Sequence, residues 1–326
     1  VQPRVLGSTM GENAYFVDGM DVTDPVRETT NLTMNFDAIA EIQLQTGGFE
    51  AEFGRATGGI INLVTRSGGN RFSGTLEVRY RDESFQESGD HFDTTDLDTS
   101  FRQFSFTLGG PILRDKVWFF AAYERNGTEF TPVDSPTTYH EKGQNSLAKM
   151  TWQIDDGWRL TGRYSSDPSS TDNFNASRWV MPEAAAHSAG GTTVVAGELS
   201  SVLSDSLLWN TTLGVYRFET EEYPQSGDLA AIAHHNRDTS LRTHNYSEQS
   251  YWESLRHDLS TDLTWFVDDL AGSHEVKAGI EYSDLSLLDD GLCATGTPNG
   301  ERCVEGVPGF LFLDIEYGGP FPWFMW

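Results

Sequence analysis

From residue 70 onward the chain alternates apolar and polar positions with a period of two. Leu76, Val78 and Tyr80 are interleaved with Glu77, Arg79 and Arg81, and Phe104, Phe106 and Leu108 with Gln103, Ser105 and Thr107. Met150, Trp152 and Ile154 alternate with Lys149, Thr151 and Gln153, while Trp158, Leu160, Gly162 and Tyr164 alternate with Arg159, Thr161 and Arg163. The longest case runs Leu255, His257, Leu259, Thr261, Leu263, Trp265, Val267 against Arg256, Asp258, Ser260, Asp262 and Thr264. Successive side chains of a strand point to opposite faces, so each run predicts a strand with one apolar and one charged face. Weaker strands are predicted at 117–124, 194–203, 207–217 and 275–282, about ten in all.

Residues 1–68 read differently, as a small mixed α/β piece. Tyr15-Phe16-Val17 is a short strand ending in the turn Asp18-Gly19. Asn35 is placed to cap one helical turn at 36–40, and Ile39 to Leu44 runs on as a strand. Gly58-Gly59 lets the backbone bend before Ile60-Ile61-Asn62-Leu63-Val64-Thr65. That run is almost continuously apolar, as expected of a strand buried on both faces.

The joints between the alternating strands sort by length. Those at Gly109–Lys116, Asp155–Gly157, Leu203–Ser206 and Asp268–His274 are short. Those at 82–100, 125–144, 165–192, 218–250 and 283–309 are long and polar. Short and long joints alternate strictly. Outer-membrane barrels have this arrangement, with tight periplasmic turns and long extracellular loops, whereas a soluble sandwich has no reason to sort its loops.

The most specific motif starts at Asn35: NFDAIAEIQLQTGGFEAEFGRATGGIINLVTRSGGNR. With Asp18-Gly19-Met20-Asp21-Val22-Thr23-Asp24-Pro25 upstream, it resembles the C-terminal part of the plug domain of TonB-dependent outer-membrane receptors, running into their first barrel strand. It is most similar to the Oar-like (OmpA-related) branch. Gly109-Gly110-Pro111-Ile112-Leu113-Arg114-Asp115-Lys116 followed by Val117-Trp118-Phe119-Phe120 also resembles the first periplasmic hairpin of Oar-like barrels. The resemblance implies a mainly β chain. Residues 1–68 would be the C-terminal part of an α/β plug, and residues 69–326 the N-terminal half of a partial transmembrane antiparallel β-barrel of the plugged, ~22-strand size. It implies plug turns at Asp18, Gly19, Gly47, Gly48, Gly54, Gly58 and Gly59.

The implied setting is the outer membrane of a Gram-negative bacterium, and the implied activity is uptake or export of a ligand through a plugged barrel. The implied partners are outer-membrane lipid, an extracellular ligand, and a TonB-type energy-coupling protein reached through a segment upstream of Val1. The chain opens on Val1 with no leader, so an export signal is expected upstream as well. The competing readings are an energy-independent pore or surface adhesin on the same barrel, and a secreted β-rich enzyme acting on carbohydrate.

Composition narrows the field. The 326 residues carry 49 acids and 22 Lys plus Arg, a net charge of −27. That argues against nucleic acid, whose phosphates need a basic face. Mean hydropathy is −0.44, and no apolar run reaches the roughly 18 residues of a membrane helix. Membrane strands escape that test because only alternate residues face lipid. Aromatic residues make up 12%, which suits interfacial girdles.

Within Glu50-Ala51-Glu52-Phe53-Gly54-Arg55, the charges Glu50, Glu52 and Arg55 are expected to meet basic residues of an inner barrel wall, for which Arg79, Arg81, Arg159 and Arg163 are the candidates. The blander reading is a solvated turn. The acidic joint at 82–100 includes Asp90, Asp93, Asp96 and Asp98, which with Trp179 are candidates for a ligand-facing loop. Clustered carboxylates could hold Ca²⁺, but EF-hand spacing is missing and a solvated loop is the simpler expectation. Cys293 and Cys303 flank a turn-forming segment and are expected to form a local disulfide, with two free thiols as the alternative. His234 and His235 read as ordinary loop residues rather than metal ligands. No nucleophile-elbow, HExxH or P-loop motif is present, so no catalytic residue, cofactor or metal is assigned and the chain is not read as an enzyme.

Overall fold

The computed structural model describes residues 5, 9–47, 57–82, 99–236, 238–267, 274–292, 313–315 and 321–322. They form two principal sheets. The first is small, in the order β2-β1-β4-β3, with β1 (Ala14–Val17), β2 (Met20–Asp21), β3 (Ile39–Gln45) and β4 (Ile60–Thr65). Asp18-Gly19 closes the β1–β2 hairpin with φ of 47° and 78°. Both values lie in the left-handed region that a two-residue type I′ turn demands, and Asp-Gly is a favoured pair for it. β1 and β4 are parallel, with Tyr15 opposite Ile61. Asn35 accepts from the Asp37 amide and starts a single 3-10 turn, Phe36–Ala38. Among the described residues this unit contains no α-helix, so the expected α/β piece is a β-sheet with 3-10 turns.

The second sheet is a long up-and-down meander. Its strands are β5 (Ser73–Arg81), β6 (Thr99–Leu113), β7 (Val117–Phe130), β8 (Tyr139–Gln153), β9 (Trp158–Ser166), β10 (Ser169–Asp172), β11 (Ala186–Ser204) and β12 (Leu207–Pro224). After a two-residue ladder of β13 (His234–His235) with β14 (Arg242–Thr243), it continues with β15 (Gln249–Val267) and β16 (His274–Leu292). Short β17 (Leu313–Ile315) and β18 (Phe321–Pro322) lie along β16. β9 and β10 share the neighbours β8 and β11, so they are one strand interrupted at Asp167-Pro168. Every pairing in this sheet is antiparallel, and the long strands pair in sequence order.

The two faces of the wall follow the alternation. The outward row keeps large apolar side chains uncovered: Leu76 and Val78 are each 71% exposed, Leu213 57% and Trp265 52%. A soluble protein would bury such a band, whereas a lipid-facing one exposes it. The inward row carries Ser105, Thr107, Arg163, Thr192 and Arg256, which are buried beneath the small sheet. Toward the long-loop end the outward row turns charged, with Arg217 bound to Glu253 and Lys142 paired with Asp172.

Several strands run past their expected limits. β7 and β8 extend to Phe130 and from Tyr139, where 125–144 reads as a loop in the sequence. β6 likewise continues to Leu113 through Pro111, with a register shift there, and leaves a tighter turn than the Gly109–Lys116 joint. Beyond the apolar band both faces meet polar surroundings, so alternation fades while backbone pairing continues.

Candidate functional site: a charged seam between the small sheet and the wall

The small sheet sits on the inward face of the wall. Two apolar contacts fix its position. Tyr15, Val17, Met20 and Val22 pack with Val194, Tyr216 and Phe218, and Ala38 packs with Phe120, Ala122 and Leu147. Met20 fits a notch that Gly214 leaves open, since a Cβ there would stand 2.3 Å from Met20 Cε.

Around these contacts lie three charged clusters. The first is centred on Asp18. Its carboxylate accepts from the Thr65 amide (2.8 Å) and hydroxyl (2.6 Å), and it faces Lys149 Nζ at 3.3 Å and Arg163 Nε at 3.5 Å. Arg163 Nη2 also donates to the Val17 carbonyl at 3.0 Å. Lys149 and Arg163 are directly opposite each other across β8 and β9. Like charges in that relation repel, and the Asp18 carboxylate offsets this from the small sheet. All three side chains are at most 15% exposed.

The second cluster is centred on Arg256, 2% exposed on β15. It donates to the Asp21 carbonyl (2.5 Å) and the Thr23 carbonyl (2.8 Å) of the small sheet. It also pairs with Asp258 at 2.9 Å and lies over the Tyr216 ring at 5.3 Å. A guanidinium can serve all these partners because it presents five donors in a fixed fork. The third is Asp167, at the break between β9 and β10. It accepts from the Thr33 amide of the small-sheet unit and from the Thr192 amide of the wall, both at 2.5 Å.

The residues singled out in the sequence fall unevenly on this seam. Arg163 reaches it, but its partner is Asp18, which reads in the sequence as a turn residue. Arg79 pairs with Glu77 of its own strand, Arg81 lies over Phe101 and Arg159 donates to Gln153 Oε1. Among the described residues, none of these three forms an ion pair with the small sheet; each finds a neighbour within the wall. Glu50, Glu52, Arg55, Gly48 and Gly54 lie outside the described residues, as do Asp90, Asp93, Asp96, Asp98, Cys293 and Cys303. Gly59 donates to Asn13 Oδ1 at 2.9 Å, and Val5 occupies the space a Cβ would need. Gly47 and Gly58 stand in bends at the ends of β3 and before β4. Trp179 is half-exposed beside Arg178. His234 stacks on His244 at 4.1 Å, and no group of three metal-ligating side chains occurs among the described residues.

Lys149, Arg256 and Asp167 are seam residues that the sequence reading left unassigned. The first two carry a usable signal, since each occupies the polar row of a clearly alternating strand.

A family model described as an outer membrane beta barrel domain matches residues 64–130. The TonB-dependent transporter Oar of Myxococcus xanthus is 37% identical over 133 residues, covering 39% of this chain and 12% of that protein. The outer membrane transporter YddB from Escherichia coli superimposes with a TM-score of 0.69 at 15% identity, over 88% of this chain and 42% of that one. The chain has the fold of a TonB-dependent outer-membrane receptor. The ferric citrate transporter FecA in its unliganded form gives a TM-score of 0.64 at 14% identity, over 95% of this chain and 44% of that one. The chain therefore spans less than half the length of these receptors. By that fold the long sheet corresponds to barrel wall, with its apolar row uncovered.

Proposed function

We propose that this chain is the plug-and-wall portion of an energy-coupled outer-membrane transporter, with residues 1–68 belonging to the plug and 69–326 to the first half of the barrel. The observation that carries this reading is the seam itself. Among the described residues the plug is attached by a few buried charges and two small apolar contacts, without a continuous hydrophobic core. Buried ion pairs add little net stability, yet breaking one partner away is costly, so such a contact is specific without being permanent. That suits a plug that holds the barrel shut until it is moved. In this reading a ligand is captured on the long-loop side, and a TonB-type protein supplies the work that displaces the plug. The seam residues position and gate, and none is catalytic.

The test uses the full-length protein. Outer membranes would be isolated and the protein extracted in detergent. A folded barrel should migrate faster than its boiled form on a gel, and its ligand uptake should stop in cells lacking the energy-coupling protein. Recovery as a soluble, heat-insensitive protein would refute the transporter. A heat-modifiable barrel whose traffic ignores energy coupling would convert it to a passive pore.

A further inference from the structure

A cavity of about 400 Å³ lies on the long-loop side of the seam, between the plug segment containing Asn31 and Thr33 and wall strands β7, β8, β10, β11 and β12. Its size falls within the roughly 300–1,000 Å³ of ordinary ligand pockets. Its chemistry is unusual for so charged a protein. No Lys, Arg or His is among the described residues that line it, and most of the lining is amide, hydroxyl and glycine. Arg27 lies close by but outside the lining, over the rings of Trp252 (4.7 Å) and Phe218 (5.7 Å).

The amides are held in place. Asn145 donates its NH₂ to Glu124 at 3.0 Å, and Asn31 donates to Asp24 at 2.6 Å. Both side chains are thereby oriented, with their carbonyl oxygens left as acceptors. Asn126 lies over Gly143, where a Cβ would stand 2.5 Å from its Oδ1. Asp167 is committed to Thr33 and Thr192 through both oxygens. An anionic ligand would face Asp167 and Glu141 with no cation among the described lining residues to offset them, an arrangement that buried charge does not tolerate. A ligand rich in hydroxyls, which both donate and accept, matches the lining.

We propose that this cavity is a binding subsite for a neutral polyhydroxylated ligand, an oligosaccharide, with Asn31, Asn126, Asn145 and Thr220 as its hydrogen-bonding wall. The inference rests on the transporter reading and adds the substrate class to it. The ligand would touch the plug and the wall at once, at the place where Asp167 joins them.

The experiment applies the full-length protein in detergent to an array of neutral, uronate-bearing and sialylated glycans, with calorimetry on the strongest binders and on tri-lysine. Binding to neutral glycans is expected, weakened about tenfold by Asn126→Ala and by Thr220→Val, each of which removes one hydrogen bond. Preference for the anionic glycans, tighter binding of tri-lysine, failure of every neutral glycan, or neutral binding that both variants leave intact would overturn the proposal. Gel heat-modifiability of the same preparation separates the two readings. A shifted band without sugar binding sinks the subsite alone, and loss of the shift sinks the transporter with it.

Discussion

The wall and the seam are held together by opposite means. Within the wall, β11 and β12 pair residue for residue from Ala186–Pro224 to Ser204–Leu207, with a single register shift, and β12, β15 and β16 continue in the same way. Between these strands each backbone group is satisfied by a neighbour, as lipid requires. Across the seam the plug meets the wall through side chains, in three charged clusters and two apolar contacts, and some buried groups there find no partner. The Ser165, Ser254 and Tyr15 hydroxyls are examples among the described residues. An orphaned buried hydroxyl costs free energy, so the seam falls short of the best adhesion it could have. The wall is built to stay paired strand to strand, and the seam to be specific and separable.

The largest effect should come from Asp18→Asn. It leaves Lys149 and Arg163 buried and facing each other with only the longer-range field of Glu198 to offset them, a loss of about 3–5 kcal/mol. Hydrogen exchange should accelerate by more than a hundredfold across 14–65, while gel heat-modifiability of the wall persists. If wall and plug loosen together, the distinction between them fails. Leu213→Arg should give the reverse pattern. A cation on the lipid row costs about 2–4 kcal/mol near mid-bilayer, so refolding into vesicles should weaken while plug exchange in the folded fraction is unchanged.

Gly214→Val should expel Met20 from its notch at a cost of about 1–3 kcal/mol, read as faster exchange in β1 and β2. Combining it with Met20→Ala should restore part of the loss; absence of rescue would show that the notch does not matter.

The smallest effect concerns acid. At the charged end of the wall, hydrogen bonds from Arg217 and then Tyr251 outweigh burial and hold the Glu253 carboxyl below its ordinary value of 4.5. A carboxyl depressed in the folded state contributes stability above the unfolded value and loses it as pH falls through the folded one. Stability should therefore decline below about pH 4.5, and Arg217→Gln should flatten that decline in an acid titration followed by circular dichroism.

Much of the wall was legible because a strand's two faces repeat locally. The outward row Leu255, His257, Leu259 and the inward row Arg256, Asp258, Ser260 can be read from neighbouring letters. The partners across the seam cannot. Asp18 and Lys149 are 131 positions apart, and nothing near either one names the other. Arg79 shows the converse failure. It occupies the inward row like Arg163, yet Glu77 lies two residues away on the same face and takes it first. The ends of the wall strands were missed for a third reason: past the lipid band, Glu129 and His140 stand opposite each other in a paired ladder whose sequence alternates no longer.

The opposed pair Lys149 and Arg163 has an electrical consequence. With the plug in place, Asp18 offsets one of its two charges. Once the plug shifts, the same rung of the passage presents both positive charges, with only the wall's own Glu198 acting on them at longer range, in a protein whose overall charge is −27. An ion moving along that wall would meet a local reversal of field only while the passage is open, so current through single open channels should be more anion-tolerant than the acidic loops at its mouth suggest.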